Sequence, residues 1–247
     1  DVLVDVECYD EIKATFSGGT LHTASLAIAT RSAGGKYESC LGFDPLMKTR
    51  AGVQAKNGFK MKLQQGTGYS KAHKSYVGEF FMAPVMANCV RRSNALLGYS
   101  ESGATAEPLR YYEAQVYCSW LAAFNAKLDM AVLGCMLSTP PLKKAAEAVG
   151  CLPSPGSGPS IAAMDQGYLK LTAYGTGKNG KQSRCCLYFP DDPAYRDTAR
   201  MLVEAGLGMA LDEAELPEVS GVVTPIVALG DNLKSRLVAT GTVVETS

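Results

Sequence analysis

The chain has 247 residues, of which 24 are basic and 24 acidic, so its formal net charge is zero, and 47% of its residues are hydrophobic. This apolar fraction excludes a disordered or collagen-like chain and is sufficient for a sizeable core. Because a neutral chain exerts no general attraction on polyanions, we expect no nucleic acid as a partner.

The start of the sequence indicates a piece of a longer protein. Asp1 takes the place of an initiator methionine, and alternating apolar residues follow at once. A charged segment with an apolar stretch behind it, which is typical of a signal peptide, is not visible in the sequence.

Eight cysteines are scattered through the chain without CxxC spacing, and the two histidines, His22 and His73, lie far apart. This pattern predicts no metal site. Most of the cysteines are predicted to be small buried apolar residues, which favours a reducing compartment. Cys185 and Cys186 are adjacent in an alternating run and should point to opposite faces of a strand.

In chain order, the first elements are a strand over 2–13 and a helix that opens at Ser17-Gly-Gly-Thr20. Leu21, Ala24 and Ile28 share one face of this helix, and Gly34-Gly35 should end it. The stretch 42–78 is rich in Lys, Gly and Gln with little periodicity, so we predict a long surface excursion there.

The middle of the chain predicts a strand over 108–118 and a very apolar helix over 119–137. Pro140-Pro141 should stop that helix, and a short helix should follow over 142–149. The connector 150–160 is rich in proline, glycine and serine, so the main internal boundary is placed there.

The last third predicts a hairpin of strands 167–174 and 182–189, joined through Asn179-Gly180. The GxGxxG spacing of residues 175–180 belongs to this hairpin, because a strand and not a helix follows it. A helix capped by Asp192-Pro193 comes next, and its Gly206 and Gly208 suggest close approach of another element. A helix from Asp231 and a strand near 243–244 complete the chain.

Seven stretches of the sequence resemble one family of oxidoreductases. They are Phe16–Thr20, Phe81–Asn88, Val90–Tyr99, Leu109–Glu113, Leu152–Ser160, Gly221–Pro225 and Ala228–Asp231. In this order they are similar to the saccharopine dehydrogenase-like oxidoreductases, and most similar to the branch that includes the trans-acting enoyl reductases. The string Arg-Arg-Ser-Asn-Ala-Leu-Leu-Gly, over 91–98, is the most specific of the matches.

The resemblance implies a two-part enzyme, in which an N-terminal Rossmann domain binds NAD(P) and a C-terminal domain faces it. Residues 1–247 resemble the C-terminal domain alone. Its implied fold is α+β, a mixed and largely antiparallel sheet with helices packed on it. We therefore expect no cofactor to be bound by this chain alone, and we expect a Rossmann domain or a partner subunit to supply NAD(P).

The first candidate for the substrate-facing or cofactor-facing site is the turn of Ser17, Gly18, Gly19 and Thr20. A helix N-terminus offers free backbone N–H groups, and two glycines allow close approach. A simple helix cap is the alternative. The resemblance favours a position on the side of the sheet where a cofactor domain would pack.

A second set of candidates is Arg91, Arg92, Ser93 and Asn94, which could clamp a phosphate or carboxylate. A solvated face or an interdomain ion pair is the alternative. Tyr111 or Tyr112 could donate a proton to an enolate, although a strand tyrosine usually serves packing. Tyr112 is retained as a candidate, whereas no acid–base catalyst is identified.

The helix over 119–137 is expected to lie against something apolar without spanning a bilayer. Its apolar residues favour insertion by about 3.5 kcal/mol, while Lys127 and Asp129 oppose it by roughly 2.5 to 3.5 kcal/mol each. The alternatives are burial in the core, a wall for a lipid substrate, or docking on a membrane or membrane complex. The candidate docking residues are Trp120, Leu121, Phe124, Leu128 and Leu133.

Two functions follow from these expectations. The first is the substrate-binding part of an NAD(P)-dependent reductase that acts on an apolar or lipid-linked substrate. The second is a non-catalytic accessory subunit that docks on a membrane protein complex, such as a photosynthetic or respiratory supercomplex. Either one predicts an intracellular protein at a membrane surface, with a chloroplast or mitochondrion as alternative compartments.

Overall fold

The computed structural model describes residues 2–32, 55, 57–101, 103, 106–153 and 156–247. These residues form an α+β fold with one mixed, mostly antiparallel sheet, as predicted. The strands are β1 (Leu3–Lys13), β2 (Phe59–Leu63), β3 (Gly68–Ser70), β4 (Ser75–Gly78), β5 (Leu109–Tyr117), β6 (Tyr168–Gly177), β7 (Gln182–Phe189) and β8 (Val243–Thr246). The helices are α1 (Gly18–Ser32), α2 (Ala83–Leu97), α3 (Trp120–Ser138), α4 (Pro140–Ala148), α5 (Ile161–Met164), α6 (Arg196–Leu211), α7 (Pro225–Leu229) and α8 (Asp231–Ala239).

Strand β1 lies at the centre of the sheet, whose order is β3-β4-β5-β1-β6-β7-β8. It runs parallel to β5 and antiparallel to β6. The far edge of β5 pairs with β2 along its first half and with β4 along its second half. One continuous sheet therefore joins elements on both sides of the connector 150–160.

The alternation of β1 gives the sheet two different faces. Cys8 packs with Tyr111 and with Ala87 of α2, so this face is covered by helices. Tyr9, the next residue, packs with Val77 and Ala114 on the opposite face. Because side chains alternate along a strand, Asp10 and Ile12 share the helix-covered face with Cys8.

Helix α1 packs away from the sheet, against α3 and α4. As predicted, Leu21, Ala24 and Ile28 share one face, and they contact a small core that includes Leu137 of α3 and Ala146 of α4. The predicted end of α1 at Gly34-Gly35 lies outside the described residues.

The hairpin of β6 and β7 is confirmed, and so is the assignment of residues 175–180 to it. Its turn differs from the predicted one, because Gly180 has a positive φ of 78° while Asn179 does not. The Asn179 side chain instead accepts a hydrogen bond from the Lys181 amide at 2.9 Å. As predicted, Cys185 and Cys186 point to opposite faces of β7. Their cross-strand neighbours on β6 are Ala173 and Thr172, respectively.

Helix α6 buries polar groups and exposes its apolar stripe. It begins at Arg196, three residues later than predicted, because the Asp192 carboxylate first caps a turn at the Tyr195 amide, 2.8 Å away. The buried Glu204 pairs with Arg236 of α8 at 2.9 Å. The apolar residues Leu202, Val203, Leu207 and Leu211 are exposed.

Of the two glycines in α6, only one permits close packing. A Cβ at Gly208 would lie 2.9 Å from the Leu229 side chain, whereas a Cβ at Gly206 would meet nothing within 4 Å. The predicted close approach is therefore right for Gly208 and wrong for Gly206.

Two further predictions are wrong. Within the stretch 42–78, strands β2, β3 and β4 join the sheet, since their backbones complete the edge of β5. Of the described cysteines, Cys8 and Cys186 are buried, but four are exposed. Those four are Cys89 and Cys135 on helices, Cys118 directly after β5, and Cys151 in the bend that follows α4.

Among the described helices, α3 is the one with the length and apolar composition to cross a membrane, and 11% of its most apolar stretch is buried. Ser119 caps it, accepting a hydrogen bond from the Ala122 amide at 3.1 Å. As predicted, it ends before the proline pair, and Pro140 then starts α4.

Candidate functional site

The helix-covered face of the sheet holds a cleft of about 820 Å³. Strand residues Ile12, Glu113 and Gln115 form its floor, and α3 forms one wall. The wall presents the small side chains Ala123 and Ala126, which leave the space between helix and sheet unfilled. The lining also has larger apolar side chains, namely Phe16, Leu63, Phe80, Phe81 and Met130, and polar ones, among them Gln64, Glu79, Lys127 and Asp129.

Two carboxyl groups lie at and beneath the floor of the cleft. Asp10 of β1 and Glu113 of β5 are each 1% exposed. Asp10 Oδ2 and Glu113 Oε1 are buried without a hydrogen-bond partner in the structure. A buried carboxylate without a partner is costly, so this site favours protonation.

The surroundings of the pair oppose negative charge. Burial, followed by the charge of Glu113, raises the pKa of Asp10 to about 8. Burial also raises the pKa of Glu113 to about 7, although the hydrogen bond from Tyr111 acts in the opposite direction. Tyr111 Oη donates to Glu113 Oε2 at 3.0 Å. Burial likewise raises the pKa of the neighbouring Cys8 thiol to about 12.

An ion pair marks the rim of the cleft. Lys127 Nζ lies 3.3 Å from Glu79 Oε1, and the Gly66 amide donates to the same oxygen at 2.8 Å. That amide, together with Lys127, holds the pKa of Glu79 below its ordinary value. Glu79 and Lys127 therefore offset each other at the rim, where Asp129 adds a further acid, whereas the charged groups beside the buried pair in the described part of the chain include no cation.

The Ser17–Thr20 turn lies close to the cleft, directly after the lining residue Phe16. Ser17 is the cap of α1, and its Oγ accepts from the Thr20 amide at 3.2 Å. The Gly18 amide donates to the Ser157 carbonyl at 3.1 Å, and the Ser17 amide donates to Tyr195 Oη at 2.6 Å. A Cβ at Gly19 would meet only Ser17 Oγ, at 3.7 Å.

These contacts do not fit a dinucleotide phosphate site at the start of α1. A pyrophosphate needs several free backbone N–H groups at a helix N-terminus. Here the amides of Ser17, Gly18 and Thr20 are already bonded within the chain. The other glycine-rich spacing, 175–180, lies in a hairpin.

The Arg91–Asn94 string lies on α2, and its polar atoms bond to other segments of the chain. Arg92 donates to the Val222 carbonyl, with Nη2 at 3.1 Å. Ser93 and Asn94 are 4% and 0% exposed. Ser93 Oγ is 2.7 Å from Thr224 Oγ1, and Asn94 Oδ1 accepts from the Ser100 amide at 3.0 Å.

Tyr112 lies on the open face of the sheet, opposite the cleft. Its hydroxyl donates to Gln64 Oε1 at 2.6 Å, and burial raises its pKa to about 12. A cavity of about 880 Å³ covers this part of the sheet. Its lining is charged and aromatic, with Asp5, Glu7, Lys60, Lys62 and Arg110 among its residues.

An aromatic group also occupies the open face. Tyr9 stacks on His73 with ring centroids 4.8 Å apart. Tyr174 Oη lies 3.3 Å from His73 Nδ1, and Tyr9 Oη donates to Glu7 at 2.8 Å. Burial lowers the pKa of His73, so this imidazole is biased toward its neutral form.

Helix α3 turns several of its large apolar side chains outward, away from the cleft. The exposed residues include four of the predicted docking residues: Trp120, Leu121, Phe124 and Leu128. Trp120 and Phe124 stack with centroids 5.3 Å apart. The fifth, Leu133, is partly buried against the core shared with α1 and does not belong to the outer face.

Asp10 and Glu113 are the candidate functional residues that the sequence analysis missed. Their signal is an acidic residue at an inward position of an apolar alternation, since Asp10 continues the series of Val6 and Cys8. This signal can be recognised only once it is known which face of the sheet the helices cover. The pairing of the two residues also depends on β1 lying beside β5, which the sequence does not specify.

Comparisons with known proteins give matches that cover nearly the whole chain. It is 31% identical to a trans-acting enoyl reductase of Mycobacterium bovis BCG over 243 residues, covering 94% of this chain and 56% of that protein. It is 35% identical to a trans-acting enoyl reductase of Mycobacterium ulcerans over 177 residues, covering 68% of this chain and 40% of that protein. A Mycobacterium tuberculosis protein, which its name assigns to the same group only provisionally, is 30% identical over 99% of this chain and 60% of its own length.

No family model matches the chain, and no solved structure gives a significant match. The similarity to saccharopine dehydrogenase-like proteins stays a prediction. The chain spans 60% or less of the length of these relatives. Over nearly all of its own length, it is homologous to proteins named trans-acting enoyl reductases.

Proposed function

We propose that this chain is the substrate-binding part of an NAD(P)-dependent reductase that acts on an apolar, lipid-linked enoyl substrate. The observation that carries the proposal is the cleft, because a largely apolar lining beside a buried carboxyl group suits an acyl chain with a polar head. The named relatives support the same chemistry. The nicotinamide cofactor is assigned to a further domain or a partner subunit, since the start of α1 does not fit a pyrophosphate.

Binding of an acyl probe tests the cleft directly. We expect the 247-residue chain to bind the N-acetylcysteamine thioester of octanoic acid in titration calorimetry. Ala126→Phe should abolish this binding, because the ring would occupy the cleft. Val132→Phe is the matched control, since Val132 is 45% exposed on the same helix. Equal binding by both variants would place the acyl site elsewhere.

The assignment of the cofactor is tested by titrating NADH and NADPH into the same chain. We expect no saturable binding, since the amides at the start of α1 already have partners within the chain. Saturable binding at micromolar concentration would show that the chain holds its own cofactor site.

A second candidate function is docking on a membrane surface or membrane protein complex, and the outward face of α3 favours it. Leu121, Phe124 and Leu128 are 59%, 44% and 55% exposed. This candidate is compatible with an intracellular, peripherally attached protein, with organelles among the compartments to examine. It is also compatible with the first, since a reductase for lipid-linked substrates works near lipid.

Replacing Leu121, Phe124 and Leu128 together by serine tests the docking candidate. We expect the melting temperature to stay unchanged, because these side chains are exposed. We also expect the variant to lose its flotation with lipid vesicles. A large drop in melting temperature would instead show that the three side chains stabilise the fold.

A further inference from the structure

The two acids beneath the cleft are arranged as a pair. The register of the parallel strands sets Cys8 opposite Glu113 and Asp10 opposite Gln115, so Asp10 and Glu113 are diagonal neighbours on one face. Both are 1% exposed, and each has one oxygen without a hydrogen-bond partner. Diagonal neighbours on adjacent strands are within reach of side chains of this length.

No cation in the described part of the chain compensates the pair. Tyr111 is its hydrogen-bond donor, and the other titratable neighbour on β1 is the Cys8 thiol. Helices α2 and α3 face the floor with alanines. The charged side chains of α3 in the lining are Lys127, which Glu79 holds at the rim, and the exposed Asp129, which adds a negative charge. Two adjacent carboxylates in such surroundings cannot both be ionised at low cost.

We propose that Asp10 and Glu113 share one proton at neutral pH and that, once an acyl ligand is bound in the cleft, this proton lies on Glu113 and is donated to the carbonyl oxygen of the ligand. This inference rests on the proposed function for the identity of the ligand. Glu113 is the member of the pair that lines the cleft, and Asp10 lies behind it. Asp10 is therefore a positioning residue, which keeps the proton on the pair.

The shared proton selects among apolar ligands by their head group. A thioester or ester carbonyl is neutral and accepts a hydrogen bond from the acid, and such a bond is strong where water is excluded. A free fatty-acid carboxylate would add a further negative charge next to the pair. The site therefore suits a neutral carbonyl and disfavours a carboxylate of the same chain length.

The test compares two probes across a range of pH. The N-acetylcysteamine thioester of octanoic acid and octanoate are titrated into the 247-residue chain from about pH 6 to about pH 9, the range in which the pair loses its proton. We expect the thioester to bind roughly tenfold or more tighter than octanoate at the lower pH, and its affinity to fall by a similar factor at the higher pH.

Variants separate the proton from the shape of the cleft. Glu113→Gln keeps an N–H donor and a similar volume, so it should retain thioester binding while losing most of the pH dependence. Glu11→Gln on the open face is the matched control and should behave as the unmodified chain. Infrared titration of the unmodified chain supplies a measurement independent of any variant, since a protonated carboxyl band should persist near neutral pH.

The outcomes distinguish this inference from the proposed function. Thioester binding that is insensitive to pH and to Glu113→Gln, with no protonated carboxyl band, would overturn the shared proton and leave the acyl cleft intact. A protonated band without thioester binding at any pH would overturn the acyl ligand and with it the proposed function.

Discussion

Adjacent residues of the central strand show how the two faces of the sheet treat the same chemical group. Asp10 faces the helices and is 1% exposed, and burial next to Glu113 raises its pKa to about 8. Glu11 faces the open side, where its carboxylate accepts from Lys170 Nζ at 2.7 Å. Adjacent positions of one strand therefore place one carboxyl group in a buried site that favours protonation and the other in a partly exposed ion pair.

Two adjacent tyrosines of β5 repeat the contrast. Tyr111 donates to the buried Glu113, whereas Tyr112 donates to the half-buried Gln64. Period-two alternation explains both cases, because neighbouring side chains enter different surroundings. The surroundings, and not the residue type, therefore decide whether a polar group on this sheet bonds within the dry interior or on a face that water reaches.

The largest expected effect is on the pH dependence of stability. In the unfolded chain both acids ionise near pH 4, but in the folded chain Asp10 and Glu113 have pKa values of about 8 and about 7. Between about pH 4 and about pH 8, the folded state therefore binds more protons than the unfolded state. The free energy of unfolding should therefore fall as pH rises, by about 1.4 kcal/mol per pH unit for one proton.

Urea unfolding at a series of pH values measures this slope. The double variant Asp10→Asn, Glu113→Gln should remove the contribution of the pair, whatever its effect on stability at a single pH. Glu11→Gln, on the open face, should leave the slope unchanged. A slope that persists in the double variant would mean that the pair is ionised in the folded protein.

The next largest effect is expected from Tyr111→Phe. This change removes the hydroxyl that donates to Glu113 Oε2 at 3.0 Å and leaves that buried oxygen without its partner. The loss should be about 1 to 3 kcal/mol in the free energy of unfolding. Since the hydrogen bond lowers the pKa of Glu113, the carboxyl should also titrate at higher pH, which infrared spectroscopy would detect. An unchanged titration would contradict the contact.

The fold was predictable where local patterns are strong. Strands β1 and β5 have clear period-two alternation, and the β6–β7 hairpin has an Asn-Gly turn. Strand β2 was missed because Lys60 and Lys62 alternate with apolar residues at a sheet edge, which is similar to a solvated loop. Its place depends on backbone pairing with β5, a contact about fifty residues away that no local pattern specifies.

The candidate site was less predictable than the fold. The start of α1 at Ser17 was identified as a helix N-terminus, and the structure shows the cap. The acid pair could not be identified, because Asp10 and Glu113 are 103 residues apart and meet only through strand order. A buried acid also has the same sequence signature as a surface acid until the covered face is known.

A smaller effect is expected from Tyr112→Phe, the open-face counterpart of Tyr111→Phe. The lost hydrogen bond to Gln64 is 2.6 Å long, but water can replace the hydroxyl on this half-buried face. The free energy of unfolding should fall by about 0.5 to 1 kcal/mol. Denaturant unfolding of the two variants side by side measures the difference. A loss of unfolding free energy equal to that of Tyr111→Phe would show that water is excluded equally from the two faces of the sheet.

The smallest effect is expected where the contrast began, at Glu11. Its partner Lys170 is 38% exposed at the side chain and Glu11 is 32% exposed, so water and salt screen the pair. Glu11→Gln should therefore lower the free energy of unfolding by only about 0.5 kcal/mol, and less at high salt. A double-mutant cycle with Lys170→Met isolates the pair from the other interactions of each residue. A coupling energy of several kcal/mol that salt does not weaken would mean that the open face is covered in the protein, and the difference between Asp10 and Glu11 would then need another cause.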